Sequence, residues 1–353
     1  MNILILCKRR PQNKDLLTRP YGRFYYLAKL LADRGHKVVI LLLDYEKSQP
    51  LSVSKDNIQW KSTSMFPFPF LNYYLEAKSI LNKNKIDWIF GFSDTYYGIM
   101  AEKLSKRHKT KCLVDAYDNY ESYIPWLRPL HWAWRTSLRN ANIVSAAGPQ
   151  LAELFEQLGL KCKPLILPMS ADPEFKPKDK ADSRKALDLP RNKYLIGYCG
   201  GLYRNRGIEL LFELIEHFKF DKDIEFIISG RLEENVPEPK DAKWLGYIDD
   251  EKVPDLLNSL DAMLVFNKRS KFGEFSYPVK IYEALNCGIS IIAGNTENLK
   301  WILEDYPEMI AETGNIDSYI EKINSVKNKK FSFKQTSWED SCDTLENAIT
   351  NYS

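Results

Sequence analysis

The stretch Glu274-Phe-Ser-Tyr-Pro-Val-Lys-Ile-Tyr-Glu-Ala-Leu-Asn-Cys-Gly288 decides how this chain is read. Pro278 can open a helix, because the N–H it lacks has no partner in a first turn anyway. Gly288 can close it, and Ile289–Ala293 then reads as a buried strand. Ile281, Ala284 and Leu285 give the helix an apolar face, while Lys280 and Glu283, three apart, share another. A short helix between two buried strands, with a charged pair beside a Ser-Tyr-Pro turn, raises the question of what that pair is there to meet.

Outward from this stretch the same alternation recurs. Asn2–Cys7, Lys37–Leu43, Ile86–Phe92, Lys111–Ala116, Ala141–Ala146 and Pro164–Leu167 read as strands, with helices over Tyr21–Arg34, Tyr96–Arg107 and Pro149–Gln157 between them. After Asp172 the pattern stops in a polar, proline-containing run. It restarts with strands over Tyr194–Cys199, Ile224–Ser229 and Ala262–Phe266 and a helix over Gly207–His217. The fold class predicted is α/β: two Rossmann-like domains, each a parallel sheet covered by helices, facing a cleft. The domains expected are 1–172, a linker over 173–192 that permits closure, 193–335, and a C-terminal helix within 336–353 (Trp338–Asn351) packing back towards the first domain.

Composition sets the broad class. The chain has 353 residues, 44% hydrophobic and 27% charged, enough to bury a real core. A net charge of +3 does not by itself imply nucleic-acid binding. The six cysteines have no metal or redox spacing, and Cys7, Cys112, Cys199 and Cys287 read as reduced core residues. No apolar run approaches the roughly 20 residues of a membrane span, and the N-terminus lacks a secretory leader. A cytoplasmic protein is expected.

Three loops of the second half are predicted to meet at one sheet edge, beyond the carboxyl ends of the strands. Gly200-Gly-Leu-Tyr-Arg-Asn-Arg-Gly207 combines close backbone approach at Gly200 and Gly201 with the positive charge of Arg204 and Arg206, which suits a phosphate or diphosphate. Ile228-Ser-Gly-Arg-Leu232 brings Arg231 to the same edge, and Trp244-Leu-Gly-Tyr-Ile248 offers Tyr247 to a planar base. In the opening stretch, Glu283 can accept two hydrogen bonds from a ribose diol, Lys280 can neutralise phosphate, and the Ser276–Pro278 turn, including Tyr277, can present backbone N–H groups. Each also has a plain reading: a glycine turn, solvated arginines, or an i,i+3 pair worth ~0.2–0.5 kcal/mol.

Taken together, these residues resemble the GT-B glycosyltransferases, in particular the retaining group-1 (GT4-like) family. Glu283-Ala-Leu-Asn-Cys-Gly288 is similar to the family's Glu-Ala-x-x-x-Gly helix end, and Arg206-Gly207 falls where relatives have Lys-Gly. Trp244-Leu-Gly-Tyr247, Arg34-Gly-His-Lys-Val38 and Met169-Ser-Ala-Asp-Pro-Glu-Phe175 resemble further family segments. The chain departs from the family at two places. Phe275 stands eight residues before Glu283, where a glutamate is usual, with Glu274 one place earlier; Gly201 replaces the phosphate-loop arginine. Pro278-Val-Lys280-Ile-Tyr-Glu283 fits the Pro-x-Lys-x-x-Glu variant.

The resemblance implies a nucleotide-diphosphate sugar as donor, a hydroxyl acceptor and no required metal or cofactor. It also implies roles for Gly22, beside the donor phosphate, and for Asp118, near a position where relatives carry a histidine. Asp118 and Glu274 are the catalytic candidates. None of the four histidines occupies a motif position, and a surface role is expected for each. A binding subunit without turnover, or an epimerase or phosphorylase on the same fold, is the alternative function.

Two aromatic-rich segments, 65–74 and Tyr123-Ile-Pro-Trp-Leu-Arg-Pro-Leu-His-Trp-Ala-Trp-Arg135, mix Trp, Tyr and Phe with Pro and Arg. The preferred reading is a layer covering the first sheet. A membrane interface, where a lipid-linked acceptor is met by a peripherally bound enzyme, or a carbohydrate-stacking platform are the other readings.

Overall fold

The computed structural model describes residues 1–11, 14–46, 49–64, 69–327 and 329–352. The chain divides into two compact units: Met1–Met169 together with Trp338–Ser353, and Ser170–Ser337.

The first unit begins with β1 (Asn2–Lys8), α1 (Gly22–Asp33), β2 (Lys37–Asp44), β3 (Leu51–Lys55), β4 (Ile58–Ser64) and α2 (Pro69–Lys83). It continues with β5 (Trp88–Gly91), α3 (Thr95–His108), β6 (Lys111–Ala116), α4 (Arg128–Asn140), β7 (Ile143–Ala146), α5 (Pro149–Glu156) and β8 (Leu165–Ile166). The sheet order is β3-β4-β2-β1-β5-β6-β7-β8, parallel throughout except for β3 on β4. Ile3, Leu4, Ile5 and Leu6 of β1 are fully buried, as expected of a central parallel strand covered on both faces. Chain order runs from β1 to β2 on one side and to β5 on the other, so the topological switch point lies between β1 and β5.

The second unit holds α6 (Lys180–Ala186), β9 (Tyr194–Cys199), α7 (Glu209–Phe218), β10 (Ile224–Ser229), β11 (Lys243–Trp244) and α8 (Val253–Ser259). Beyond these come β12 (Ala262–Val265), α9 (Val279–Asn286), β13 (Ser290–Gly294), α10 (Glu297–Ile302), β14 (Ile310–Ala311) and α11 (Ile316–Lys327). Its sheet is wholly parallel, in the order β11-β10-β9-β12-β13-β14, and its switch point lies between β9 and β12. The last helix, α12 (Trp338–Thr350), returns to the first unit. There Arg34, just after α1, pairs with Glu339, Asp343 and Glu346, and the Tyr26 and Trp338 rings stack.

Several readings change. The sequence predicts a linker over 173–192, but these residues pack onto the second unit. Arg184 on α6 is buried there; it donates to Asp261 at 2.6 Å and to the Ser259 carbonyl at 2.9 Å, which fixes the segment. His36 is not a surface residue: its ring lies between the Met1 amino group (3.2 Å) and Glu346 (2.8 Å). The covering-layer reading of 123–135 holds for Trp134, which is buried against Tyr120 and Phe155. It fails for Trp126 and Trp132, which are exposed. Of the other aromatic segment, 65–68 lie outside the described residues; Tyr73 is buried and Phe70 and Leu71 are exposed.

Candidate functional site

The second unit's switch point gathers the loops that the sequence singles out. β9 ends at Cys199, and Gly200 and Gly201 follow it before a single 3-10 turn over Arg204–Arg206 leads into α7. β10 ends at Ser229, and its next residue, Gly230, presses against Gly200 so closely that a Cβ there would stand 1.8 Å from the Gly200 carbonyl oxygen. Gly230 also has φ +147°, which side chains disfavour. The two loops are laced by Gly200 N–H to Ser229 O (2.8 Å) and Leu202 N–H to Arg231 O (2.8 Å). Gly230 N–H donates to Gly246 O at 2.8 Å, which brings the Trp244–Tyr247 loop alongside.

Lys280, in the first turn of α9, reaches across this edge. Its ammonium donates to the Cys199 carbonyl at 2.7 Å, and a Cβ on Gly200 would come within 2.6 Å of it. It also lies over the Tyr198 ring, whose hydroxyl holds the Gly201 carbonyl at 3.1 Å. Withdrawal from water and then the positive charge of Arg206 lower the Lys280 pKa to about 8, with Glu283 acting in the opposite sense. Arg206 lies over the Phe272 ring, and the Arg204 carbonyl of its turn is held by Lys268 at 2.6 Å. Lys280 and Arg206 therefore make an anion-attracting patch at the switch point, beside Gly200 and Gly201, where a Cβ would meet Lys280 at 2.6 Å or the Tyr203 ring at 2.2 Å. Burial pushes the neighbouring Cys199 thiol up to about 12, so it is no nucleophile. On its far side, Arg206 and Gly207 line a pocket of about 180 Å³ with Phe266, Thr313 and Tyr319.

Other expected donor residues fall at different distances from this patch. Arg231 is exposed and its guanidinium covers the Tyr247 ring at 4.9 Å, a flat surface on the adjoining loop. Arg204 is exposed and donates to the Asn235 carbonyl at 3.2 Å, away from Lys280. The Tyr277 ring is not available to a ligand, because it is buried edge-on against Trp301 of α10. Ser276 is placed by its carbonyl, which accepts from Asn298; the same amide holds the Gly273 carbonyl at 3.0 Å. Glu274 Oε2 accepts from the Glu297 N–H at 3.4 Å, at the start of α10, where a carboxylate suits the helix dipole. Asn298 carries no signal in the sequence, since its work is to hold backbone carbonyls from a distant helix.

Gly22 and Asp118 belong to the first unit. Gly22 opens α1 with φ +62°. Beside it the Arg23 guanidinium grips Asp115 through Nε (2.9 Å) and Nη2 (2.5 Å), both side chains almost wholly buried. Asp118 accepts from the Tyr123 hydroxyl at 2.6 Å. At this unit's own switch point stand two residues the sequence reading passed over, Lys8 and Asp94. The Lys8 N–H donates to Ser93 Oγ at 3.1 Å, and Ser93 takes φ +77° to turn the chain from β5 into α3. Asp94 caps α3 by accepting from the Tyr96 N–H at 3.1 Å. Loss of water raises its carboxyl to about 6, against the pull of that hydrogen bond and of the Lys8 charge. The signal was present in Ser93-Asp-Thr95, a helix start at a strand end. A larger cavity, about 690 Å³, opens between the β3–β4 hairpin and α2, two strands from β1, and holds neither switch-point residue.

Comparison with known proteins agrees with this architecture. Residues 179–342 match the family of glycosyl transferases group 1, and residues 23–167 match the glycosyl transferase 4-like domain. No curated protein matches the chain. Among solved structures it is similar to a sucrose-phosphate synthase from Thermosynechococcus elongatus (15% identity, TM-score 0.72, covering 99% of this chain and 94% of that one). It is also similar to Anabaena HepE in complex with UDP (14%, TM-score 0.71, 100% and 96%) and to a glycosyltransferase from Rickettsia africae (16%, TM-score 0.64, 99% and 94%). With two family matches side by side over most of its length, and two parallel-sheet units of the GT-B kind, the chain belongs to the group-1 (GT4-like) glycosyltransferases.

Proposed function

We propose that this glycosyltransferase takes a sugar from a nucleotide-diphosphate sugar bound at the second unit's switch point and passes it, with retention, to a hydroxyl acceptor. The observation that carries the reading is Lys280: a partly buried ammonium anchored at the end of β9, packed close against Gly200 where any side chain would displace it. In this reading the diphosphate lies over Gly200 and Gly201 and is held by Lys280 and Arg206. Arg204, more distant, adds long-range attraction. Glu283, one helical turn beyond Lys280, accepts the ribose diol, and the Arg231–Tyr247 pair meets the base.

The chemistry asked of these residues is electrostatic. As the anomeric bond breaks, negative charge collects on the departing diphosphate, and fixed positive charges in a partly dry site stabilise it. Ser276 presents backbone to the same edge, and the second oxygen of Glu274 is assigned to a donor-sugar hydroxyl. In the first unit, Gly22 gives close backbone approach, and Asp118 and Asp94 orient the acceptor hydroxyl, a sugar hydroxyl of a glycan or glycolipid. Retention is supported by the family alone, and no residue here is assigned as a metal ligand.

Similar structures carry UDP and UDP-glucose, so UDP is the first nucleotide to test. Calorimetric titration with UDP, GDP and ADP tests the donor site. Binding of one of them, lost in Glu283→Ala, supports it. No binding of any at millimolar concentration rejects it and favours a partner protein without turnover.

A further inference from the structure

We infer that the exposed face of α4, with the turn before it, docks this protein on an anionic membrane surface. Trp126 is 76% exposed and Trp132 70%, and Tyr123 and Leu127 add exposed apolar surface within the same stretch. Exposed large apolar side chains gathered in one stretch, unlike ones scattered singly, mark an interaction surface. Phe220, also open, stands apart beside Lys219 and forms no such cluster.

The sequence of α4 explains the arrangement. Trp134, Ser137 and Leu138 are buried on one side. Arg128, Trp132, Arg135 and Arg139, at helical spacings of four, three and four, run along the other and are all exposed. Tryptophan with a polar ring edge, flanked by arginines whose stems can lie along apolar surface, suits the headgroup layer of a bilayer.

Charge selects the partner. No acidic residue occurs between Glu121 and Glu153. Of the acids nearby in sequence, Glu121 is paired with Arg135 at 2.5 Å, while Asp118 accepts from the Tyr123 hydroxyl and keeps its charge. Arg128 has no ion pair among the described residues, and Arg139 spends one N–H on the Leu158 carbonyl while keeping its charge. A second copy of this chain would oppose arginine to arginine across a two-fold interface. A surface of anionic lipid meets both the charge and the aromatic rings. Among the described residues no helix is long and apolar enough to cross a membrane, so the contact is interfacial. The inference goes beyond the donor-site reading and does not depend on it.

The test is co-sedimentation of the full chain with phosphatidylcholine vesicles, with and without phosphatidylglycerol. The wild type is expected to bind the anionic vesicles, less as salt rises, and its tryptophan emission to shift blue. Trp126→Ser with Trp132→Ser should lower the partition at least about tenfold, since two large apolar side chains leave the interface. Arg128→Gln with Arg139→Gln should flatten the salt dependence. Both variants should bind nucleotide as the wild type does, which separates this test from that of the donor site. Absence of wild-type binding to anionic vesicles at low salt overturns the inference, and the wild-type emission reads this without any variant. Undiminished vesicle binding by the tryptophan pair, or a wild-type dimer that those substitutions dissolve, overturns it as well.

Discussion

The Lys280 ammonium and the Cys199 carbonyl oxygen lie 2.7 Å apart, tying the first turn of α9 to the end of β9 at the reversal of strand order. That bond places a cation where a parallel sheet leaves its crevice. It also leaves the ammonium partly dehydrated, with its pKa near 8, so the residue is poised to gain from an anion.

The first prediction concerns that gain. Lys280→Met should weaken nucleoside-diphosphate binding about 10–100-fold, as expected from ~1.5–3 kcal/mol for a charge-assisted hydrogen bond. Nucleoside binding, which lacks the diphosphate, should hardly change. Titration of both ligands against both proteins checks it; equal losses for the two would place Lys280 in folding rather than in phosphate recognition.

The second concerns backbone crowding. Gly230→Ala must push a methyl group into the Gly200 carbonyl at a φ of +147°, and should cost about 3 kcal/mol or more. Gly22→Ala meets open space and carries only the penalty of a positive φ, about 1 kcal/mol. Urea midpoints of the two variants should differ in that order.

A third prediction rests on the buried Arg23–Asp115 pair. Arg23→Met strands the Asp115 carboxylate among Ser145 and apolar neighbours, and should destabilise the first unit by about 3–5 kcal/mol. Chemical denaturation followed by the fluorescence of Trp60, Trp88 and Trp134, all buried in that unit, reports the loss.

Asp94 gives a pH dependence with a definite sign. Its carboxyl holds a proton up to about pH 6 in the folded chain and to roughly 4 when unfolded. Between those values the native state binds more protons, so this group's contribution to stability falls as pH rises from about 4 to about 6 and is level above. The stability difference between wild type and Asp94→Asn should therefore change across that window and stay constant beyond it. A difference that is flat from pH 4 to 7 would contradict the assignment.

How far the sequence went follows from its physics. Strands buried on both faces write themselves as largely apolar runs, and Tyr194–Cys199, Ile224–Ser229 and Lys111–Ala116 are read to the residue despite Glu225, Lys111 and Asp115. The β3–β4 hairpin escapes because Leu51-Ser-Val-Ser-Lys55 is an exposed edge strand, and its turn at Asp56-Asn57 lacks the glycine that usually marks one. Prolines and tryptophans disguise α4, whose apolar side is narrow. At the site, Lys280, Arg206 and the glycines are legible because charge and backbone freedom are properties of single residues. The burial of Tyr277 and the clamp by Asn298 are not, since both depend on α10, a helix with no motif of its own.

Lys280 as the cation of a diphosphate site is the central claim about this protein. The most direct test is UDP calorimetry at pH 8 in two buffers of different ionisation enthalpy. With its pKa near 8, Lys280 is about half protonated before binding, and a bound diphosphate raises that pKa. The wild type should take up a fraction of a proton per UDP bound, because the bound diphosphate raises the lowered Lys280 pKa. Lys280→Met should bind more weakly and take up none. The same affinity and the same proton count in both proteins would contradict the assignment.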